Sequence, residues 1–271
     1  MSRFASPKGM IGAALVALVL LTAIFAPLFL SSDLATKMVM TARLRPPSEA
    51  HWLGTDQLGR DLLYRVMLGA RTSLTIAAAA VAMSVLIGLP LGLVSGYYRG
   101  AVDNVLMRLV DTLLSFPALL LALTISAMLG PSIPNTIIAI GVAFAPFLAR
   151  IIRGEVLRVA QMPYVEAARA SGTNDFHMIV RHILPNILPP IIVQATISLA
   201  FAILAEAGLS FLGLGTQPPQ SSWGLMIQTS RDYLDIAPWT ALVPGAAVAL
   251  TVLGLNMSGD ILRDVFDPRS R

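Results

Sequence analysis

Long uncharged stretches alternate with short charged ones along this chain. A bilayer core is about 30 Å thick and needs about 20 mostly apolar residues for each spanning helix. The pattern predicts six membrane-spanning helices, the fourth of them short and interrupted by Pro146. The uncharged stretches are residues 10–30, 72–98, 112–129, 137–149, 187–204 and 236–257.

The first apolar stretch has the basic start that signal peptides and uncleaved anchors share. Arg3 and Lys8 precede it, and no charged residue occurs between 10 and 30. The apolar region of a signal peptide runs about 7–15 residues and ends at a small-residue cleavage site. This stretch is longer and leads through Pro27 into Phe29, so we expect an uncleaved first span.

The composition agrees with an integral membrane protein. Of the 271 residues, 56 % are hydrophobic and 13 % are charged, and the mean hydropathy is +0.75. These values are too apolar for a soluble domain. The charged residues form short islands that leave no stretch for a separate soluble core, so we expect one all-α, polytopic membrane domain.

The distribution of basic residues predicts the topology. Six spans place both termini on one side, and the segments on that side carry twelve Lys and Arg against seven on the other. The positive-inside rule therefore assigns both termini to the cytoplasm. The expected regions are a cytoplasmic N-terminus (1–9), a first span (10–30), an external segment (31–71), a membrane core (72–258) with a cytoplasmic insert (150–185) and an external segment (211–235), and a cytoplasmic tail (259–271).

Several kinds of chemistry are disfavoured by the residue inventory. The chain has no cysteine, and its two lysines, Lys8 and Lys37, lie outside any phosphate-binding loop motif. The histidines His51, His177 and His182 lack metalloprotease spacing, and none lies in a predicted span. We therefore predict no catalytic residue, metal site or cofactor on this chain. Basic residues spread over several loops fit membrane topology better than nucleic-acid binding.

Glu206 is the one acid next to a predicted span whose role the pattern leaves open. It is either an acid at the membrane surface or a polar group that lines a translocation path. Ion-coupled transporters usually carry paired charges within the membrane, and membrane enzymes need a nucleophile with a nearby base. A secondary transporter and a membrane enzyme remain the alternative classes, and this sequence shows the expected features of neither.

The cytoplasmic insert contains the signals of two short helices. Pro163 suits the first turn of a helix over 164–171, and Gly172 is placed to end it in a left-handed conformation. Thr173 or Asn174 can cap the next helix, which Pro185 is expected to stop before the fifth span.

The two helices would form a helix-turn-helix ledge below the membrane. Its small residues would let another surface approach closely, although an ordinary folded loop fits the pattern equally well. Those small residues are Ala167, Ala168, Ala170 and Ser171.

The insert resembles the signature of the inner-membrane permeases of binding-protein-dependent ABC importers. That signature is EAA, three residues, Gly, nine residues, Ile, any residue, then Leu-Pro. This chain carries Glu166-Ala167-Ala168, Gly172 and Leu184-Pro185 in register. His182 occupies the isoleucine position, and Ile183 lies beside it.

Further stretches resemble the dipeptide, oligopeptide and nickel branch of this family, as the second permease of its pair. The likeness runs over about residues 45–268. The stretches are HWLGTDQLGRD (51–61), LLSFP (113–117), EAGLSFLGLG (206–215), the segment 219–224, and GD with LRD and DP (259–268).

The resemblance implies a type I ABC importer permease in the bacterial inner membrane. Such a chain has no ATPase site; it pairs with a second homologous permease, and one or two ATPase subunits that use ATP and Mg dock beneath. An extracytoplasmic solute-binding protein delivers the solute, and membrane lipid surrounds the pair. The implied solute is a di- or oligopeptide, with nickel or another small solute as the alternative.

The resemblance also implies two sets of site residues. The ATPase-coupling loop would consist of Tyr164, Glu166, Ala167, Ala168, Arg169, Ala170, Ser171, Gly172, Leu184 and Pro185. The candidates for the translocation path are Glu206, Phe116 and Pro117.

Overall fold

The fold is a bundle of helices, seen in a computed structural model that describes residues 7–29 and 37–266. Five helices are long and apolar enough to cross a membrane, or six spans if a bent pair counts as one, which confirms the expected all-α polytopic fold. The outer parts of the predicted termini, residue 30 of the predicted first span, and residues 31–36 of the external segment lie outside the described residues. The helices are α1 (Pro7–Phe29), α2 (Leu62–Tyr98), α3 (Gly100–Leu114), α4 (Ala118–Leu129), α5 (Ile133–Val159), α6 (Pro163–Ala170), α7 (Asp175–Phe211), α8 (Trp223–Ser230) and α9 (Trp239–Phe266).

The third predicted span, 112–129, is not one straight helix. It is divided between α3 and α4, whose axes differ by 85°. Proline has no N–H and disfavours helical geometry at the residue before it, so the helix ends ahead of Pro117. The charged interval between the second and third uncharged stretches, which contains Asp103 and Asp111, is part of α3 rather than a separate connection.

The fourth span is longer than its sequence pattern indicates. We expected it to end at residue 149 with a break at Pro146, but α5 continues through Pro146 to Val159. Pro146 is buried, and a proline inside a membrane helix is tolerated where neighbouring helices cover the loosened backbone. The first part of the insert 150–185 is therefore the end of α5 rather than a loop.

The expected stop at Pro185 is also wrong. From Asp175 to Phe211 the chain is one helix, with a π-helical stretch at Met178–Ile183. Because Pro185 lies in the first turn of the α-helical part that follows, its missing N–H costs no α-helical hydrogen bond. The second helix of the ledge and the fifth span are thus a single element.

Glycines bring α2 and α5 into close contact. A Cβ on Gly88 would lie 2.9 Å from the Ala145 carbonyl oxygen, and one on Gly96 would lie 2.7 Å from the Val156 Cβ. The contact positions rise together along both helices, so α2 and α5 run parallel. Small residues allow this approach in membrane bundles, and the two helices form one packed unit.

The ends of the described chain lie at one end of the bundle. Gly12 of α1 faces Met257 of α9, while Gly254 faces Leu15, so α1 and α9 run antiparallel. This arrangement fits an even number of membrane crossings. The excess of Arg and Lys predicts that this end faces the cytoplasm.

Candidate functional site

The turn between α6 and α7 is built as the sequence predicts. Gly172 has φ +79°, a conformation that glycine adopts at little cost. Its N–H donates to the Arg169 carbonyl at 3.0 Å, and the Thr173 N–H donates to the Ala168 carbonyl at 3.2 Å. These two bonds form a Schellman end to α6. The Asn174 side chain accepts from the His177 N–H at 2.8 Å and caps α7.

α6 presents most of the predicted coupling residues on an exposed surface. Val165 is the one buried residue of this helix, and Ala168 is half-buried. On α7, Leu184 is half-buried and Pro185 is exposed. The exposed predicted residues of α6 and its turn are Tyr164, Glu166, Ala167, Arg169, Ala170, Ser171 and Gly172.

An apolar cluster fixes α6 to the membrane helices. Val165, Met178 and Ile183 are fully buried in it together with Ile152 and Val156 of α5. The predicted residues Ala168 and Leu184 pack against the same cluster. A displacement of α6 therefore acts on α5 and α7 through close-packed side chains, since packed interiors transmit strain.

Glu206 lies in the interior of the protein, within a hydrogen-bonded network. Its carboxylate accepts from the Ser73 hydroxyl of α2 at 3.0 Å and from the Ser210 hydroxyl of α7 at 2.8 Å. Ser222, the residue that caps α8, lies close to the same carboxylate. Burial without partners would be costly for a carboxylate, and here two hydroxyls from different helices supply them.

The network continues from the serines into the backbone of the predicted external segment 211–235. Ser73 accepts from the Trp223 N–H at 3.2 Å, and Ser210 accepts from the Thr216 N–H at 3.2 Å. The Trp223 indole donates to the Val66 carbonyl at 3.0 Å. Glu206 thereby holds α8 and the preceding loop against α2 and α7.

The predicted path residues do not lie together. Phe116 and Pro117 occupy the break between α3 and α4 and line an apolar cavity of about 360 Å³ with Phe144 and Phe201. Glu206 is fully buried, and among the described residues its hydrogen-bond partners are serines outside that cavity.

Sequence reasoning missed the ion pairs that connect α3 to α5. Arg153 donates to Asp103 from Nε at 2.6 Å and from Nη2 at 2.5 Å, and the Ser95 hydroxyl also donates to Asp103. Arg150 pairs with Asp111 at a more exposed position. The charges were visible in the sequence, but their partners are distant along the chain, so spacing alone could not pair them.

Sequence reasoning also missed the ion pairs within the GTDQLGRD stretch. Asp56 Oδ1 accepts from the N–H groups of Leu58 and Arg60 at 2.8 and 2.9 Å. Its other oxygen lies 2.7 Å from Arg60 Nε and 3.4 Å from Arg65 Nε, and all three charged side chains are buried. Asp61 then caps α2. An aspartate that bonds the backbone two residues on is a known turn signal, which could have located Asp56.

A bundle of long apolar helices with a short, exposed helix between two of them defines an integral membrane protein. Residues 88–271 match the family of the binding-protein-dependent transport system inner membrane component, and the chain belongs to that family. It is thus a multi-pass inner-membrane permease: the apolar stretches predict the multiple spans, and the resemblance of the insert implies the permease.

Individual relatives match nearly the whole chain. It is 44 % identical over 261 residues to the dipeptide transport system permease protein DppC of Alkalihalophilus pseudofirmus, which covers 96 % of this chain and 86 % of that protein. It is 39 % identical over 272 residues to the oligopeptide transport system permease protein OppC of Bacillus subtilis, with coverage of 100 % and 89 %.

A solved structure shares the fold. The methionine ABC transporter MetNI, in inward-facing conformations, matches with a TM-score of 0.62 and 20 % identity over 76 % of this chain and 98 % of that one.

Proposed function

We propose that this chain is one of two permease subunits of an ATP-driven peptide importer. A second homologous permease completes the translocation path, and one or two ATPase subunits hydrolyse ATP with Mg. This chain itself has no ATPase site. An extracytoplasmic binding protein delivers the peptide. Relatives named for dipeptides and oligopeptides over almost the full chain support peptides as the solute class.

Within this proposal, α6 is the coupling helix that docks on an ATPase subunit. The assignment rests on the burial pattern of α6. Val165 is buried and anchors the helix, whereas most of its other residues are exposed. Small exposed side chains such as Ala167 and Ala170 permit the close approach of a groove.

Glu166→Lys is expected to weaken ATPase docking without disturbing the fold. Among the described residues the Glu166 side chain has no ion pair or hydrogen bond, so its replacement breaks no internal contact. A reversed charge at an interface costs at least ~1.4 kcal/mol, or about tenfold in binding. The amount of ATPase recovered with the purified variant measures the loss. Glu49→Gln, at an exposed position of the external segment, is the control, and equal recovery from both variants would remove α6 from the interface.

Purification in mild detergent tests the assembly. Mass spectrometry of the material that accompanies this chain is expected to identify a second six-span permease and a P-loop ATPase. Recovery of the folded chain alone would favour an ion-coupled secondary transporter instead.

A further inference from the structure

Tyr97 lies near the C-terminal end of α2, next to a close contact with α5. The preceding Gly96 contacts Val156 of α5 so closely that a Cβ there would lie 2.7 Å from the valine Cβ. The backbone at this end of α2 therefore has a fixed position relative to α5. The Tyr97 ring packs against the apolar cluster that holds Val165 and Met178.

Tyr97 contacts both helices of the ledge, α7 through its hydroxyl and α6 through its ring. Its hydroxyl donates to Asp175 Oδ1 at 2.6 Å, at the first residue of α7. The guanidinium carbon of Arg169, on the last turn of α6, lies 5.9 Å from the ring centroid. A hydrogen bond to a carboxylate and a cation–π contact are both directional interactions.

These two contacts lie on opposite sides of the Gly172 turn. Arg169 precedes the turn and Asp175 follows it, and among the described residues neither forms an ion pair. A Cβ on Gly172 would meet nothing within 4 Å, so the turn itself makes few contacts. Val165 and Ala168 hold one face of α6 against the apolar cluster, and the contacts of Tyr97 add a constraint on both sides of the turn.

We propose that Tyr97 is a positioning residue that sets the angle of α6 against the membrane helices, through Asp175 on one side of the turn and Arg169 on the other. The proposal rests on α6 being the coupling helix. It adds α2 to the elements through which movement of α6 reaches the membrane: α5 and α7 are connected to α6 along the chain, whereas α2 makes its polar and cation–π contacts with the two ledge helices through this side chain.

The test compares Tyr97→Phe, Asp175→Asn and the double variant in the complete transporter in liposomes. The measured quantity is a ratio of two rates of ATP hydrolysis. The rate in the presence of the binding protein, isolated with its natural cargo, is divided by the rate in its absence. We expect each single variant to lower this ratio by roughly threefold to tenfold, the range for one ordinary hydrogen bond, and the double variant to be no worse. Tyr98→Phe is the matched control, since the Tyr98 hydroxyl has no partner among the described residues.

Amide hydrogen exchange over residues 166–175 gives a second readout that does not depend on partners. Faster exchange in Tyr97→Phe than in Tyr98→Phe is expected, because α6 gains freedom when the hydroxyl bond is lost. The inference is overturned if Tyr97→Phe leaves either the exchange or the ratio unchanged. It is also overturned if the effects of the two single variants on the ratio add in the double variant, or if Tyr98→Phe lowers the ratio equally. If Gly172→Pro also keeps normal stimulation, the coupling assignment itself fails. If only Gly172→Pro loses stimulation, the role of Tyr97 alone fails.

Discussion

Gly172→Pro is expected to reduce peptide uptake by about a hundredfold while the protein stays in the membrane at normal abundance. Proline fixes φ near −65°, whereas this position has φ +79°, so the turn between α6 and α7 cannot keep its conformation. A misplaced proline costs ~3 kcal/mol or more, which corresponds to about two orders of magnitude in the population of the correct turn. The exposed site has open space around it, so the damage remains local.

Uptake of a labelled dipeptide by cells, together with immunoblotting of membranes, measures this effect. Gly154→Ala is the control, because Gly154 lies in α5, has ordinary helical geometry, and also has open space for a Cβ. Gly172→Ala should fall between the two, since a left-handed conformation costs an L-residue about 1–2 kcal/mol. Normal uptake by Gly172→Pro at normal abundance would remove α6 and its turn from the coupling path.

Glu206→Ala is expected to lower the free energy of unfolding by about 2–4 kcal/mol. The variant leaves the buried hydroxyls of Ser73 and Ser210 without their common acceptor, and each unsatisfied buried polar group costs about 1–3 kcal/mol before relaxation. The carboxylate also holds the N-terminus of α8 through Ser73. Glu206→Gln should lose less, because its amide oxygen still accepts one hydroxyl.

The midpoint of thermal unfolding in detergent measures this difference. Glu155→Gln provides the comparison, because Glu155 pairs with Arg158 at a partly exposed site and such pairs contribute at most about 1 kcal/mol. A midpoint for Glu206→Ala equal to that of Glu155→Gln would show that the serine network does not stabilise the fold.

The sequence predicts best the features that depend on neighbouring residues. The apolar stretches locate the spans because most of them approach or exceed the length that a bilayer crossing needs. The turn after α6 is predictable in the same way, since Gly172 and Asn174 act on the backbone within a few residues. These local features are also the ones that match the family signature.

The sequence predicts poorly what depends on the packing of distant segments. Pro146 and Pro185 read as helix breakers, yet burial beside α2 allows the first and a π-helical stretch allows the second. Glu206 reads as an acid at a helix end, and only its contact with Ser73, far away along the chain, shows that it belongs to the interior. The bend at Pro117 lies between these cases: the proline that ends α3 is visible in the sequence, but the 85° angle between α3 and α4 is seen only in the structure.

Cross-linking from α6 tests most directly that this chain is driven by an ATPase docked on that helix. The chain has no cysteine, so Ala170→Cys introduces its single thiol on the exposed side of α6, and Gln217→Cys does so in the predicted external loop. In the purified transporter, a short thiol-to-amine reagent is expected to join Ala170→Cys to a P-loop ATPase subunit and to leave Gln217→Cys unjoined to it. An ATPase that co-purifies but cross-links only from Gln217→Cys, or from neither position, would contradict the account.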